Sequence, residues 1–138
     1  MIAALVEAES GQVLWETERA AWRDAFVHAA VAALPGSRVV AAGAERLWNT
    51  VSLTLPRHEH LRWVARLDKR GFVVSTGSAC ATGHEGPSHV LAALGLDPEA
   101  MRRTIRISAG WSTLEKDWLA LRQTLVTVSA ELDAAPTM

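Results

Sequence analysis

The sequence predicts an α+β fold with a small, mostly antiparallel sheet packed against helices. Three observations carry that expectation. The 138 residues are one domain's worth of chain, enough to bury a core. Helical and strand-like periodicities alternate along it in short stretches. No repeat, low-complexity tract or interdomain linker interrupts them, so residues 1–138 read as a single domain.

The elements follow in order. Residues 2–6 look like the tail of one helix, and residues 12–34 read as a long one. In the long helix Trp15, Trp22, Phe26, Ala29 and Ala33 fall at helical intervals on one face. Pro35-Gly36 ends it, since proline cannot continue the hydrogen-bond ladder and glycine accepts the cap geometry. Residues 38–42 read as a short strand closed by Gly43. Val51, Leu53 and Leu55 alternate with Ser52 and Thr54 until Pro56, the period of a half-buried strand.

A helix is expected over about residues 58–69, then a brief strand at Phe72-Val73-Val74. Gly86-Pro87 opens a short helix with the proline in its first turn, and Gly95 stops it. Thr104, Arg106 and Ser108 alternate with Ile105 and Ile107 in another strand. Ser112-Thr-Leu-Glu115 has the form of a capping box. Leu114, Trp118, Leu121, Leu125 and Val128 then mark the apolar stripe of the last helix. The six tryptophans, accompanied by no tyrosine, read mostly as packing residues at helical spacing.

Composition excludes several function classes. Hydrophobic residues make up 49% and charged residues 21%, with a mean hydropathy of +0.10, which does not suit a disordered segment. Apolar runs fall well short of the roughly 20 residues of a membrane helix. The net charge of −1 gives no reason to expect nucleic acid or an acidic membrane surface as partner, and Arg102-Arg103 is too small a basic footprint. Residues 1–8 contain Glu7 and no basic stretch, so a secretory signal is not expected. The single cysteine, Cys80, excludes an internal disulfide and suits a reducing, cytoplasmic compartment.

Cys80 is also the main candidate for chemistry. Of the nine residues 75–83, seven are Gly, Ser, Thr or Cys and the other two are Ala. Thiolate nucleophiles need access, which such a segment gives. By residues alone, a reactive thiol and an inert loop cysteine both fit. The small side chains of residues 79–86 further predict mobility. Cys80, His84 and His89 match structural zinc spacing poorly, so no metal is expected, and His58 and His60 read as solvent-facing. No phosphate-binding glycine pattern is present. Arg106, on the polar side of its strand, is either a carboxylate ligand or a surface arginine.

Four blocks together resemble a known family. Val73-Val74-Ser75-Thr76-Gly77-Ser78-Ala79-Cys80, Pro87-Ser88-His89-Val90-Leu91, Leu94-Gly95-Leu96 and Ile105-Arg106-Ile107-Ser108-Ala109-Gly110 occur in the order and at the spacing of the C-terminal small domain of cysteine desulfurases. These are pyridoxal-phosphate (PLP) enzymes of the class V aminotransferase group, and the distance from Cys80 to Pro87 is similar to that of the long-loop type. Arg46-Leu47 and Asn49-Thr50 fit as well, and the resemblance covers nearly the whole chain.

The resemblance implies the fold of that domain in fold-type I PLP enzymes. It implies that Cys80 takes sulfur from the substrate cysteine as a persulfide, leaving alanine, and that Arg106 holds the substrate carboxylate. It also implies a homodimeric full enzyme and a sulfur-acceptor protein, as in iron–sulfur cluster assembly. The PLP lysine of the family has no counterpart motif here. Lys69 ends a helix and Lys116 opens one, so no PLP is expected on this chain alone. The large PLP domain, on a separate chain or otherwise, becomes the expected partner. A cofactor-free persulfide carrier and a catalytically inactive partner subunit are the alternatives. The chain departs from the family at Glu85-Gly86, where Leu-Glu is usual, and at Trp111, where arginine is common.

Overall fold

Alternating side chains on two central strands decide the architecture, because one alternate set is aliphatic and the other is hydroxylic or charged. The computed structural model describes residues 2–76 and 88–135, with side chains from residue 12 onward. The element order is α1 (Ile2–Ala33), β1 (Arg38–Val39), β2 (Thr50–Thr54), α2 (His60–Asp68), β3 (Ser75–Thr76), α3 (His89–Ala93), α4 (Pro98–Arg102), β4 (Thr104–Ser108) and α5 (Glu115–Ala134). The strands form one sheet in the order β1-β2-β4-β3, and every neighbouring pair is antiparallel. The expected α+β class and antiparallel sheet are therefore present.

The core lies on one face of this sheet. Val51 and Leu53 of β2 and Ile105 and Ile107 of β4 point into it, joined by Leu55. Phe26, Val27 and Ala30 of α1, Trp63 and Leu67 of α2, and Trp118, Leu121, Leu125, Val128 and Leu132 of α5 cover them. Trp63 is fully buried, and its indole Nε1 donates to the Arg57 carbonyl at 2.9 Å, so its polar atom is satisfied. The opposite face is covered at one end only. There Val40, Leu91 and Met101 form a second small cluster. Beneath α4 the hydroxyls of Thr54 and Thr104 lie 2.8 Å apart, and Thr104 Oγ1 donates to the Ala100 carbonyl.

Several expectations shift. The helix expected over residues 12–34 is one continuous α1 from Ile2. Its buried stripe runs through Arg19, Arg23, Phe26, Ala30 and Leu34, while Ala33 is exposed, because the guanidiniums of Arg19 and Arg23 tuck in to reach backbone carbonyls. The first strand stops at Val39, two residues before Ala41 turns to a φ of +53°. The strand expected at 72–74 is displaced onto Ser75-Thr76, the residues that pair with β4. The short helix begins at His89 with Ser88 as its N-cap, and the Gly86-Pro87 expected to open it lies outside the described residues. Gly95 ends that helix with a φ of +82°, as a glycine stop requires.

The α4 helix was missed, although Asp97-Pro98 announces it: Asp97 caps Ala100 N at 2.8 Å and proline takes the first turn. The box read at Ser112–Glu115 sits later, with the Asp117 carboxylate accepting from Leu114 N at 2.8 Å, so the cap is Leu114. His58 is not solvent-facing but bonds Asp133 at 2.8 Å. Three of the tryptophans, Trp15, Trp48 and Trp111, meet one another rather than packing in the core.

Candidate active site

β4 places Arg106 between two neighbours. Its register partner on β2 is Ser52 and its partner on β3 is Ser75, so the three residues form one row across the sheet. Cross-strand partners point their side chains to the same face. Ile105 and Ile107 on either side of Arg106 enter the core, which puts the Ser52–Arg106–Ser75 row on the opposite face. The three residues are half-buried. Among the described residues the Arg106 guanidinium has neither an ion-pair partner nor a hydrogen bond. Thr50 and Ser108, paired two residues further along, continue the face as a hydroxyl-lined surface.

Several other arginines differ in kind. Arg103 donates to the Leu55 and Pro56 carbonyls, Arg66 and Arg70 meet Glu131, and Arg57 meets Asp133 at 2.8 Å. These tie secondary elements together. Arg106 ties nothing, and its planar fork of donors is suited to a bidentate carboxylate.

Cys80 and His84 lie outside the described residues, as does the segment 79–86 that the sequence marks as mobile. His89 is an exposed residue at the start of α3. Among the described residues no group of three or more His, Cys, Asp or Glu side chains is placed to hold a metal. Lys69 is the exposed C-cap of α2, and Lys116 is exposed in the first turn of α5. Neither lysine has the enclosed surroundings that an imine-forming amine needs, so this chain's described residues do not fit PLP on their own. A cavity of about 150 Å³ is lined by Phe72, Val74, Ile107, Ser108, Trp118 and Leu121, at the edge of the core layer.

Ser52 and Ser75 were not singled out in the sequence. Only the strand register brings them beside Arg106, and a single sequence carries no direct signal of register.

No family model matches the chain. Curated relatives do. A cysteine desulfurase of Rhodobacter capsulatus is 31% identical over 111 residues, which is 80% of this chain and 29% of that protein. Cysteine desulfurase 2 of Trichormus variabilis is 34% identical over 85% of this chain and 30% of its own length. A Klebsiella pneumoniae cysteine desulfurase is 34% identical over 69% of this chain and 24% of its own. Among solved structures, a NifS-like protein from Rickettsia africae superposes over 83% of this chain and 29% of its own, with a TM-score of 0.69 at 21% identity, which supports the fold. No helix among the described residues is long and apolar enough to cross a membrane. Over 69–85% of its length the chain is similar to cysteine desulfurases, and it spans less than a third of the length of these curated relatives.

Proposed function

We propose that residues 1–138 form the C-terminal small domain of a PLP-dependent cysteine desulfurase of the long-loop type, acting with a cofactor-bearing portion that supplies the lysine. PLP provides the electron sink that lets the carbon–sulfur bond of cysteine break. This chain contributes a carboxylate clamp and a sulfur acceptor. The overall change is L-cysteine plus the Cys80 thiol giving L-alanine plus a Cys80 persulfide, which then passes its outer sulfur to an acceptor protein such as one serving iron–sulfur cluster assembly. The homodimer and cytoplasmic location of the family belong to the same proposal.

The observation that carries the reading is the Arg106 guanidinium, without a partner among the described residues, one residue from the Ile105–Thr76 pair that ends the β3 ladder. Cys80 is four residues beyond Thr76, a chain length that reaches at most about 14 Å. That span is compatible with a thiol working beside a carboxylate held at Arg106.

The test combines this chain with the cofactor-bearing portion and follows alanine from L-cysteine. Alanine is expected only from the combination. With Cys80→Ser, turnover is expected to stop while cysteine binding persists, because a hydroxyl cannot form a persulfide. Full turnover by Cys80→Ser contradicts the sulfur role. Persulfide formation on Cys80 from a sulfur donor, without any cofactor-dependent alanine, favours the stand-alone carrier.

A further inference from the structure

Trp15 of α1, Trp48 ahead of β2 and Trp111 after β4 converge from three distant segments. Trp15 and Trp111 stack with centroids 4.8 Å apart, and Trp48 meets Trp15 edge-on at 4.8 Å. The Arg19 guanidinium lies 4.0 Å over the other side of this group on Trp15, and 4.9 Å from Trp22. The outer member, Trp111, is 68% exposed, and Leu14 and Leu47, adjacent in sequence to Trp15 and Trp48, are 73% and 71% exposed. A folded chain seldom leaves an aromatic cluster of this kind in water without a use for it. Tryptophan and arginine are also the residues most enriched where one protein surface anchors another.

One detail restricts what covers the cluster: it is continuous with the Thr50–Ser108 end of the Arg106 face. Thr50 and Ser108 form the last pair of the β2–β4 ladder, the Asn49 carbonyl accepts from Ala109 N, and Trp48 and Trp111 leave the sheet from that end. Whatever presents a substrate carboxylate to Arg106 sits next to these rings. The chain spans 24–30% of its curated relatives, so most of such a protein lies outside it.

We infer that the Trp15–Trp48–Trp111 surface is the seat of the cofactor-bearing portion, which meets it with an apolar patch. The inference rests on the desulfurase reading for the identity of the occupant. Trp111 stands where the family commonly has arginine, so this chain meets its occupant through a ring rather than a charge.

The 138-residue chain is tagged and incubated with extract of its source cells, and the retained protein is reduced with borohydride so that any pyridoxyl-lysine is read by mass spectrometry. The wild type is expected to retain a pyridoxyl-lysine protein. Trp111→Ser is expected to retain at least about tenfold less, the loss of an anchoring tryptophan, with its circular dichroism unchanged. Leu61→Ser, at a residue 63% exposed on α2, is expected to retain it fully. Equal retention by Trp111→Ser overturns the assignment, as does retention of nothing, of a second copy of this chain, or of a protein without pyridoxyl-lysine. If a Trp111-dependent complex forms but yields no alanine from L-cysteine, the surface stands and the desulfurase reading falls. Alanine from a complex indifferent to Trp111 gives the reverse.

Discussion

On one face of the sheet Val51, Leu53, Ile105 and Ile107 are at most 4% exposed beneath α1, α2 and α5. The residues between them on the same strands, Thr50, Ser52, Arg106 and Ser108, face away, and among the described residues helix covers only the end marked by Thr54 and Thr104. Each apolar side chain sealed on the first face contributes roughly 1.5–3 kcal/mol of transfer free energy. The second face contributes little to folding and keeps a guanidinium without a counter-ion among the described residues. A two-residue period thus separates stability from chemistry within a single strand: β4 serves the core with its isoleucines and the site with Arg106.

The largest effect expected from that division is on the core side. Trp63→Ala removes a fully buried indole and is expected to cost about 3–5 kcal/mol in urea unfolding. A loss below about 1 kcal/mol breaks the claim that this face holds the fold together.

Arg106→Ala tests the other side. Unfolding free energy is expected to stay within about 0.5 kcal/mol of wild type, since no partner among the described residues is lost. In complex with the cofactor-bearing portion, cysteine binding is expected to weaken by about 2–4 kcal/mol, seen as a KM raised roughly 30- to 900-fold. The reverse pattern, a collapsed fold with KM intact, reassigns Arg106 to structure.

Thr104→Val sharpens the boundary between the covered and open ends of the same face. It leaves the Thr54 hydroxyl without its partner in a buried place and takes from the Ala100 carbonyl one of its two donors, at an expected cost of about 1–2 kcal/mol. Ser108→Ala, at the open end, is expected to change thermal stability by less than about 0.5 kcal/mol.

The smallest effect concerns the cap of the helix that makes this cover. Hydrogen bonding from Ala100 N holds the Asp97 carboxyl below its ordinary value against the opposing effect of burial, with the Glu99 N–H, Arg38 and Arg103 adding to the lowering. A lowered folded-state value means the charged cap stabilises above about pH 4 and loses that contribution as pH falls through and below it. Asp97→Asn keeps a capping oxygen and removes the charge. Its Tm is expected to fall slightly below wild type at neutral pH and to converge with it as the pH falls below the ordinary aspartate range. Convergence on raising the pH contradicts the assignment.

Much of the fold was legible because periodicity reports burial directly. The stripe Trp118, Leu121, Leu125 and Val128 and the alternation of β4 were read from spacing and hold. Readings that needed more than spacing moved. Phe72-Val73-Val74 has the composition of a strand, yet Ser75-Thr76 forms the ladder, because pairing is set by what β4 offers rather than by β propensity. The α1 stripe was drawn through tryptophans, while Arg19 and Arg23 turned inward to carbonyls that only the tertiary fold supplies. At the site, the alternation of β4 put Arg106 on the polar face, whereas the serines beside it come from strands 31 and 54 residues earlier in the chain and depend on register. The Trp15–Trp48–Trp111 contact was invisible for the same reason.

The central claim is that one face of this sheet serves sulfur transfer, with Arg106 holding the substrate and Cys80 taking the sulfur. The most direct measurement is the mass of the Cys80 peptide after the complex with the cofactor-bearing portion has been given L-cysteine. The account predicts a gain of one sulfur atom on that peptide in step with alanine, slowed in Arg106→Ala at limiting cysteine and absent in Cys80→Ser. Alanine formed at the wild-type rate by Cys80→Ser, or formed with no sulfur gained at Cys80, would contradict it.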